Sequence, residues 1–212
     1  MPIESGPVTQ VKLVVHALAV KEVIRDGRSW RIGTASDIAW IKTGTTVGLT
    51  ITSGIPPVFD DYATVVLPED PQDHAEQLRH DRAIVAVLKS QSPQQRWWLG
   101  YLEHGGSDIV FPEAPPVTLY ANWQYVLVQA GPEEAVSWRR IDAAPFWSPL
   151  LPELMFPTDR SWLVSTLWDD DWTCVGGPVA LVEALLNHPD LRARARRVSL
   201  DQDATPPGHR AI

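Results

Sequence analysis

The sequence predicts an α+β fold: a largely antiparallel sheet of about five to seven strands with helices packed on one face, closing with a hairpin and a C-terminal helix. Three observations predict it. Short aromatic and β-branched runs broken by Gly, Pro and Asn recur between residues 97 and 129. A stretch from His74 to Ser90 has Leu78, Ile84, Val85 and Leu88 at helical spacing. The segment from Arg160 to Pro189 reads as strand, three-aspartate turn, strand, double glycine and helix.

Taken in order, Met1 to Thr9 is polar and proline-broken and reads as a flexible tail, as does Asp201 to Ile212. Residues 10–200 are expected to form a single domain, since 212 residues are long for one domain and short for two. Gln10 to Arg25 places Leu13, Ala17, Val20 and Ile24 at three- and four-residue spacing before Asp26-Gly27, which favours a helix. Val14-Val15 and Val23-Ile24 would equally suit a strand. Ser29 to Ile32 reads as a short strand, and Ser36 as the N-cap of a helix carrying Ile38, Trp40 and Ile41 up to Gly44. Gly48 to Thr52 alternates like a strand. Pro57 suits the first turn of a helix bearing Phe59, Tyr62, Ala63 and Val66, although Ala63 to Leu67 has strand character.

Leu67 to Asp73 is an acidic loop ahead of the His74 helix. Strands are expected at Trp97–Glu103, Asp108–Phe111, Val117–Tyr120 and Gln124–Gln129, with a short helix at Pro132–Arg139 led by two glutamates. Asp142 to Asp159 carries four prolines and reads as an ordered loop. Ser161–Trp168 and Trp172–Val175 pair across the aspartates. Pro178 then opens a helix with Val179, Val182, Leu185 and Leu186 along one side, stopped by Pro189.

The formal charge of −8 disfavours phosphate backbones, so nucleic acid is not an expected partner. The basic run Arg192, Arg194, Arg196 and Arg197 reads as a solvated helix face. No long apolar run suggests a membrane span, and no charged-then-apolar signal opens the chain. A single cysteine, Cys174, forms no internal disulfide and excludes zinc sites with two or more cysteines in one chain, so a reducing cytoplasm is expected.

Ten tryptophans stand out against four Phe and four Tyr. At about 150–250 Å² each they represent about 1,500–2,500 Å², whereas the largest apolar patch on a soluble monomer is about 300–600 Å². Most must therefore be buried in the core or an interface, leaving about one to three for a ligand. Those beside turn-forming polar residues are the candidates: Trp123 after Asn122, and Trp168 and Trp172 flanking Asp169 and Asp171. Aromatic faces next to carboxylates can hold a cation or a sugar. The same residues could equally cap hairpin ends.

Catalytic and metal chemistry find weaker footing. Side chains of consecutive aspartates diverge, and turn preference accounts for them, so no metal is implied. Cys174 sits near a helix N-terminus, which can lower a thiol pKa, but a lone cysteine in an apolar strand is also ordinary filler. His104, Ser107 and Asp108 put base, hydroxyl and acid into one Gly-Gly turn that lacks the Gly-x-Ser-x-Gly elbow. No dinucleotide or phosphate-loop fingerprint occurs, and no cofactor is expected. The residues point to a non-catalytic acidic protein that recognises another, basic protein in a regulatory, inhibitory or immunity-like role. The stretch Asp60 to Asp81 (Asp60, Asp61, Glu69, Asp70 and Asp73 foremost) supplies seven carboxylates against one arginine as the contact patch. The alternatives are a small-molecule-binding protein or small hydrolase, sited at Trp168–Trp172 or His104–Asp108, and a homo-oligomer that buries surplus tryptophans.

Overall fold

Asp26 and Gly27, both at positive φ (52° and 70°), close a two-residue hairpin between β1 (Glu22–Arg25) and β2 (Arg28–Ile32). Asp-Gly with both residues left-handed is the turn whose twist matches paired strands. That turn overrides the helical spacing expected for Gln10–Arg25: residues 22–25 are strand, and residues 10–21 lie outside the described ones. A computed structural model of the chain describes residues 22–70, 73–103, 111, 114–139, 150–168 and 170–210.

The remaining strands are β3 (Asp61–Val66), β4 (Trp97–Leu102), β5 (Val117–Leu119), β6 (Trp123–Ala130), β7 (Leu154–Pro157), β8 (Leu163–Ser165), β9 (Trp172–Gly177) and β10 (Ala195–Arg197). Among the described residues these ten form one sheet in the order β1-β2-β6-β4-β7-β8-β9-β3-β10, with β5 added beside β6. Every pairing is antiparallel. The helices are α1 (Ala35–Gly44), α2 (His74–Gln91), α3 (Pro132–Ala135) and α4 (Val179–Asn187).

β4 shows how the sheet divides two cores. Trp97, Leu99 and Tyr101 join a cluster with Leu88 of α2, Ala135 of α3 and Leu181 and Leu185 of α4. Trp98 and Leu102 point the other way, to Ile38 and Ile41 of α1, Ile51, Ile55 and Trp172. Alternation along one strand thus feeds both layers. Trp97 and Trp162 meet edge to face at 4.9 Å within the first cluster, where the Trp162 indole N–H donates to Ser92 Oγ at 3.0 Å. Six of the nine described tryptophans are buried: Trp30, Trp97, Trp98, Trp138, Trp162 and Trp172.

Local chemistry sets the helix limits. Asp73 caps α2 by accepting from the Glu76 N–H at 2.9 Å. The cap of α1 is Thr34, two residues before the expected Ser36, because Asp37 reaches back to the Thr34 N–H at 2.8 Å. At α4, Pro178 is itself the cap, and Leu181, Val182 and Leu185 are buried while Val179 faces solvent. The double glycine permits close approach here. A Cβ on Gly176 would lie 2.5 Å from Ile55 and Phe59 side-chain carbons, and one on Gly177 2.6 Å from Leu181.

Four other expectations are corrected. Gly48–Thr52 holds only a bridge from Thr50 to Asp203, followed by a 3-10 turn at Ile51–Ser53. The helix expected after Pro57 is β3, as the run Ala63–Val66 with its β-branched residues prefers. Within the expected Asp142–Asp159 loop, Leu154–Pro157 is the interior strand β7; residues 142–149 lie outside the described ones. The arginine run is no helix face: Arg196 and Arg197 belong to the edge strand β10, with Arg197 opposite Ala63, and Arg192 and Arg194 lie in the turn before it. Residues 201–210 lie against the body: the Ala204 N–H donates to Leu49 O at 2.8 Å and its side chain is buried. No helix among the described residues is long and apolar enough to cross a membrane.

Candidate functional site

The end of the sheet where β8 turns into β9 carries a small cleft of about 90 Å³. Three of the tryptophans singled out by sequence, Trp123, Trp168 and Trp172, line it, together with Leu49, Ser53, Leu167, Asp170, Cys174, Ala204 and Thr205. Each wall has its own support. Trp172 heads β9 opposite Val66 and is buried in the second core cluster. Trp123 heads β6 after a turn in which Tyr120 and Asn122 both have positive φ (50° and 69°). The Tyr120 ring packs on Trp123 at 6.3 Å, and its hydroxyl lies 2.9 Å from Gly54 O and 2.8 Å from Ser165 Oγ. That anchoring holds a backbone conformation costly for side chains other than glycine. Trp168 is the outer wall, 36% exposed.

The turn between β8 and β9 is closed by Asp170 N–H donating to Leu167 O at 3.2 Å, and Thr166 and Thr173 hydroxyls meet across it at 2.8 Å. Asp171 is exposed, and its Oδ2 lies 2.6 Å from Nδ1 of His209. The His209 ring in turn stands edge-on to Trp172 at 6.4 Å. Residues 203–205 form the remaining wall, held from behind by Arg196, which donates to the carbonyls of Asp203 (3.1 Å) and Thr205 (2.9 Å). Gly48 and exposed Leu49 line the cleft, and exposed Val47 precedes them in the chain.

Cys174 lies on the cleft wall as a fully enclosed thiol. Burial first, and the nearby Asp170 charge second, push its pKa up to about 12. A nucleophilic cysteine needs the opposite shift. Among the described residues no cluster of three or more His, Cys, Asp or Glu side chains could hold a metal ion. His104, Ser107, Asp108 and Asp169 lie outside the described residues.

The acidic stretch is divided by the fold. Asp61 pairs with Gly177 at one end of β3, while the Leu67 N–H donates to Asp171 O (2.8 Å) at the other. Asp60 and Asp61 therefore sit away from the cleft, and exposed Glu69 and Asp70 follow Leu67 in the chain. β10 and the turn before it bring arginines against the stretch: Arg197 pairs with Asp61 at 3.0 Å and with Glu183, and Arg194 pairs with Glu76. Asp73 is engaged as the α2 cap. A count of charge within the stretch alone misses these partners, which come from more than a hundred residues downstream.

Sequence reasoning did not select Leu49, Ser53, Ala204, Thr205 or His209. They come from a loop and a C-terminal segment that the Thr50–Asp203 bridge and the hydrogen bond from Ala204 N–H to Leu49 O bring together, and no local pattern marks them. Comparison with protein-family models, with curated proteins and with solved structures returned no match for this chain.

Proposed function

We propose that this chain is a non-catalytic binding protein that recognises a basic region of another protein, as a regulator, inhibitor or immunity factor does. Contact is made at the sheet end bearing Trp168. The observation that carries this reading is the grouping of exposed Leu49 and Trp168 with the carboxylate of Asp170 in the lining of one cleft. Aromatic and apolar anchors ringed by polar groups are how protein interfaces concentrate their binding energy. Exposed Glu69 and Asp70 and the overall charge of −8 add attraction toward a basic partner. The cleft's size supports side-chain recognition over a cofactor or drug-sized ligand, whose sites run to about 300–1,000 Å³. We place this activity in the cytoplasm, where a lone thiol such as Cys174 stays reduced.

The test is affinity capture from host lysate by the wild-type chain and by a Leu49→Asp/Trp168→Asp variant, each at low and high salt. The expected result is a basic protein retained by the wild type, released by salt and lost with the variant. An identical set of captured proteins for both chains, or an empty wild-type column at low salt, overturns the proposal.

A further inference from the structure

Resting on that reading, we infer that Tyr120 is a positioning residue for the cleft: from behind the lining, its one hydroxyl holds three of the walls in the arrangement a partner meets. Tyr120 is not itself among the described lining residues. Its hydroxyl lies 2.9 Å from Gly54 O and 2.8 Å from Ser165 Oγ. A carbonyl only accepts, so the single phenol proton goes to Gly54 O, and the Ser165 hydroxyl donates to the Tyr120 oxygen. Burial raises the Tyr120 pKa, which keeps that proton in place. The result is a directed chain from Ser165 through Tyr120 to Gly54.

Each end of the chain stands behind a different wall. Gly54 follows Ser53 of the lining and closes the 3-10 turn by donating its N–H to Ile51 O at 3.2 Å. With its carbonyl held by Tyr120, both of its backbone polar groups are engaged. Gly54 also abuts two further lining residues: a Cβ there would lie 3.5 Å from Cys174 Cβ and 3.7 Å from Leu167 Cγ, ordinary contact distances. Ser165 is fully buried in β8, opposite Cys174 and two residues before Leu167. The third wall is Trp123, on which the Tyr120 ring packs at 6.3 Å while it meets Tyr125 at 6.2 Å.

The backbone at Tyr120 marks the same role. Its φ of 50° strains a bulky residue and would not strain glycine. Strained residues persist where the surroundings over-determine them, and they gather at ligand clamps. Glycine at this position would relax the turn and lose both the hydroxyl and the ring. A clamp of this kind acts by preorganisation, since apparent affinity falls with the fraction of molecules whose walls are already in place.

The test compares the full wild-type chain with Tyr120→Phe, which keeps the ring and removes only the hydroxyl, and with Ser165→Ala, which keeps the bond to Gly54. Amide hydrogen exchange needs no partner. In Tyr120→Phe it should quicken about fivefold to tenfold at residues 53–55, 120–123 and 165–167, the scale of one lost hydrogen bond, and stay unchanged in β4 and α2. Ser165→Ala should give a smaller change in the same places, and adding it to Tyr120→Phe should change nothing further. Toward the basic protein captured by the wild type, Tyr120→Phe should associate about tenfold more slowly and dissociate at the same rate, because the contacts are the same once the walls are in place. Exchange unchanged at those residues in both variants overturns the positioning role. Exchange quickened equally in β4 and α2 also overturns it, since the hydroxyl would then hold the fold as a whole. A partner that associates with Tyr120→Phe as fast as with the wild type overturns it too, while leaving the protein-binding reading standing. Capture that survives the Leu49→Asp/Trp168→Asp change removes that reading itself, whatever the exchange pattern of Tyr120→Phe.

Discussion

Arg139 and Glu153 form an ion pair closed to solvent, with Nη1 2.7 Å from Oε1 and Nη2 3.0 Å from Oε2. The pair does more than neutralise itself. Glu153 Oε2 also accepts from the Leu102 N–H at 2.9 Å, and Arg139 donates to Leu151 O at 3.0 Å with its guanidinium 5.1 Å from the Tyr101 ring centre. The end of β4, the start of β7 and the segment after α3 are thus fastened at one point.

Removing either partner strands a charge in the interior. Arg139→Ala or Glu153→Ala should each cost about 3–5 kcal/mol, read as a lower urea midpoint. The double change Arg139→Met/Glu153→Leu should recover much of that loss, because well-packed apolar groups commonly replace a buried pair without penalty. A double variant no more stable than either alanine variant would mean that the pair's hydrogen bonds to Leu102 and Leu151, not its charge balance, hold this corner.

His80 and Asp81 are neighbours on α2 that titrate in opposite senses. Burial, aided by Arg194, lowers the His80 pKa to about 4, and neither ring nitrogen has a hydrogen-bond partner among the described residues. Burial raises Asp81 to about 7 against the pull of its hydrogen bond from Gln77. For His80 the unfolded chain binds the extra proton, so its contribution is present above about 6.5 and is lost as pH falls toward 4. For Asp81 the folded chain binds the extra proton, so its contribution is present below 3.8 and is lost as pH rises through 7. In the wild type the two slopes oppose each other between pH 4 and 7. Asp81→Asn should leave stability rising with pH across that window, and His80→Leu should leave it falling. Urea midpoints measured at several pH values check both signs, and parallel curves for the two variants would contradict the assignment.

The tryptophans should separate by the same logic of burial. Trp162 is fully enclosed against Trp97, so Trp162→Ala should cost about 3–5 kcal/mol. Trp168 is 36% exposed, and Trp168→Ala should cost less, about 1–2 kcal/mol, while weakening partner binding. Thermal melts of the two variants give the comparison. A large loss of stability at Trp168 would make it a structural residue and weaken the site.

What could be read from sequence follows the range of the interaction that decides it. The β8–β9 hairpin, α2, β4 and β6 rest on local periodicity and turn chemistry, and each lies where its pattern puts it. Trp123, Trp168 and Trp172 meet in one cleft because each sits at a strand end beside a turn, which is visible locally. The identity of β7 and β3 as interior strands depends on partners elsewhere in the chain: Leu154 opposite Gly100, Ala63 between Val175 and Arg197. A proline at a plausible helix start outweighed the β-branched content of β3, and proline count outweighed the apolar run Leu154–Phe156 of β7. Likewise Asp60 to Asp81 looks unopposed until β10 and the turn before it deliver Arg194 and Arg197.

The fourth wall of the cleft rests on the last described segment, and its removal is the sharpest test of the site's construction. Asp203 bridges Thr50, the Ala204 N–H donates to Leu49 O, and Arg196 ties down the Asp203 and Thr205 carbonyls. His209 then reaches Asp171 at 2.6 Å. Truncation after Leu200 deletes Ala204 and Thr205 from the cleft and uncovers Trp172, while both main core clusters keep nearly all their members. The truncated chain should therefore still melt cooperatively, with a red-shifted tryptophan emission and partner binding lost. His209→Ala, which leaves Ala204 and Thr205 in place, should retain most of the binding. If truncation leaves binding intact, the wall formed by residues 203–205 is dispensable, and the contact face must be drawn around Leu49 and Trp168 alone.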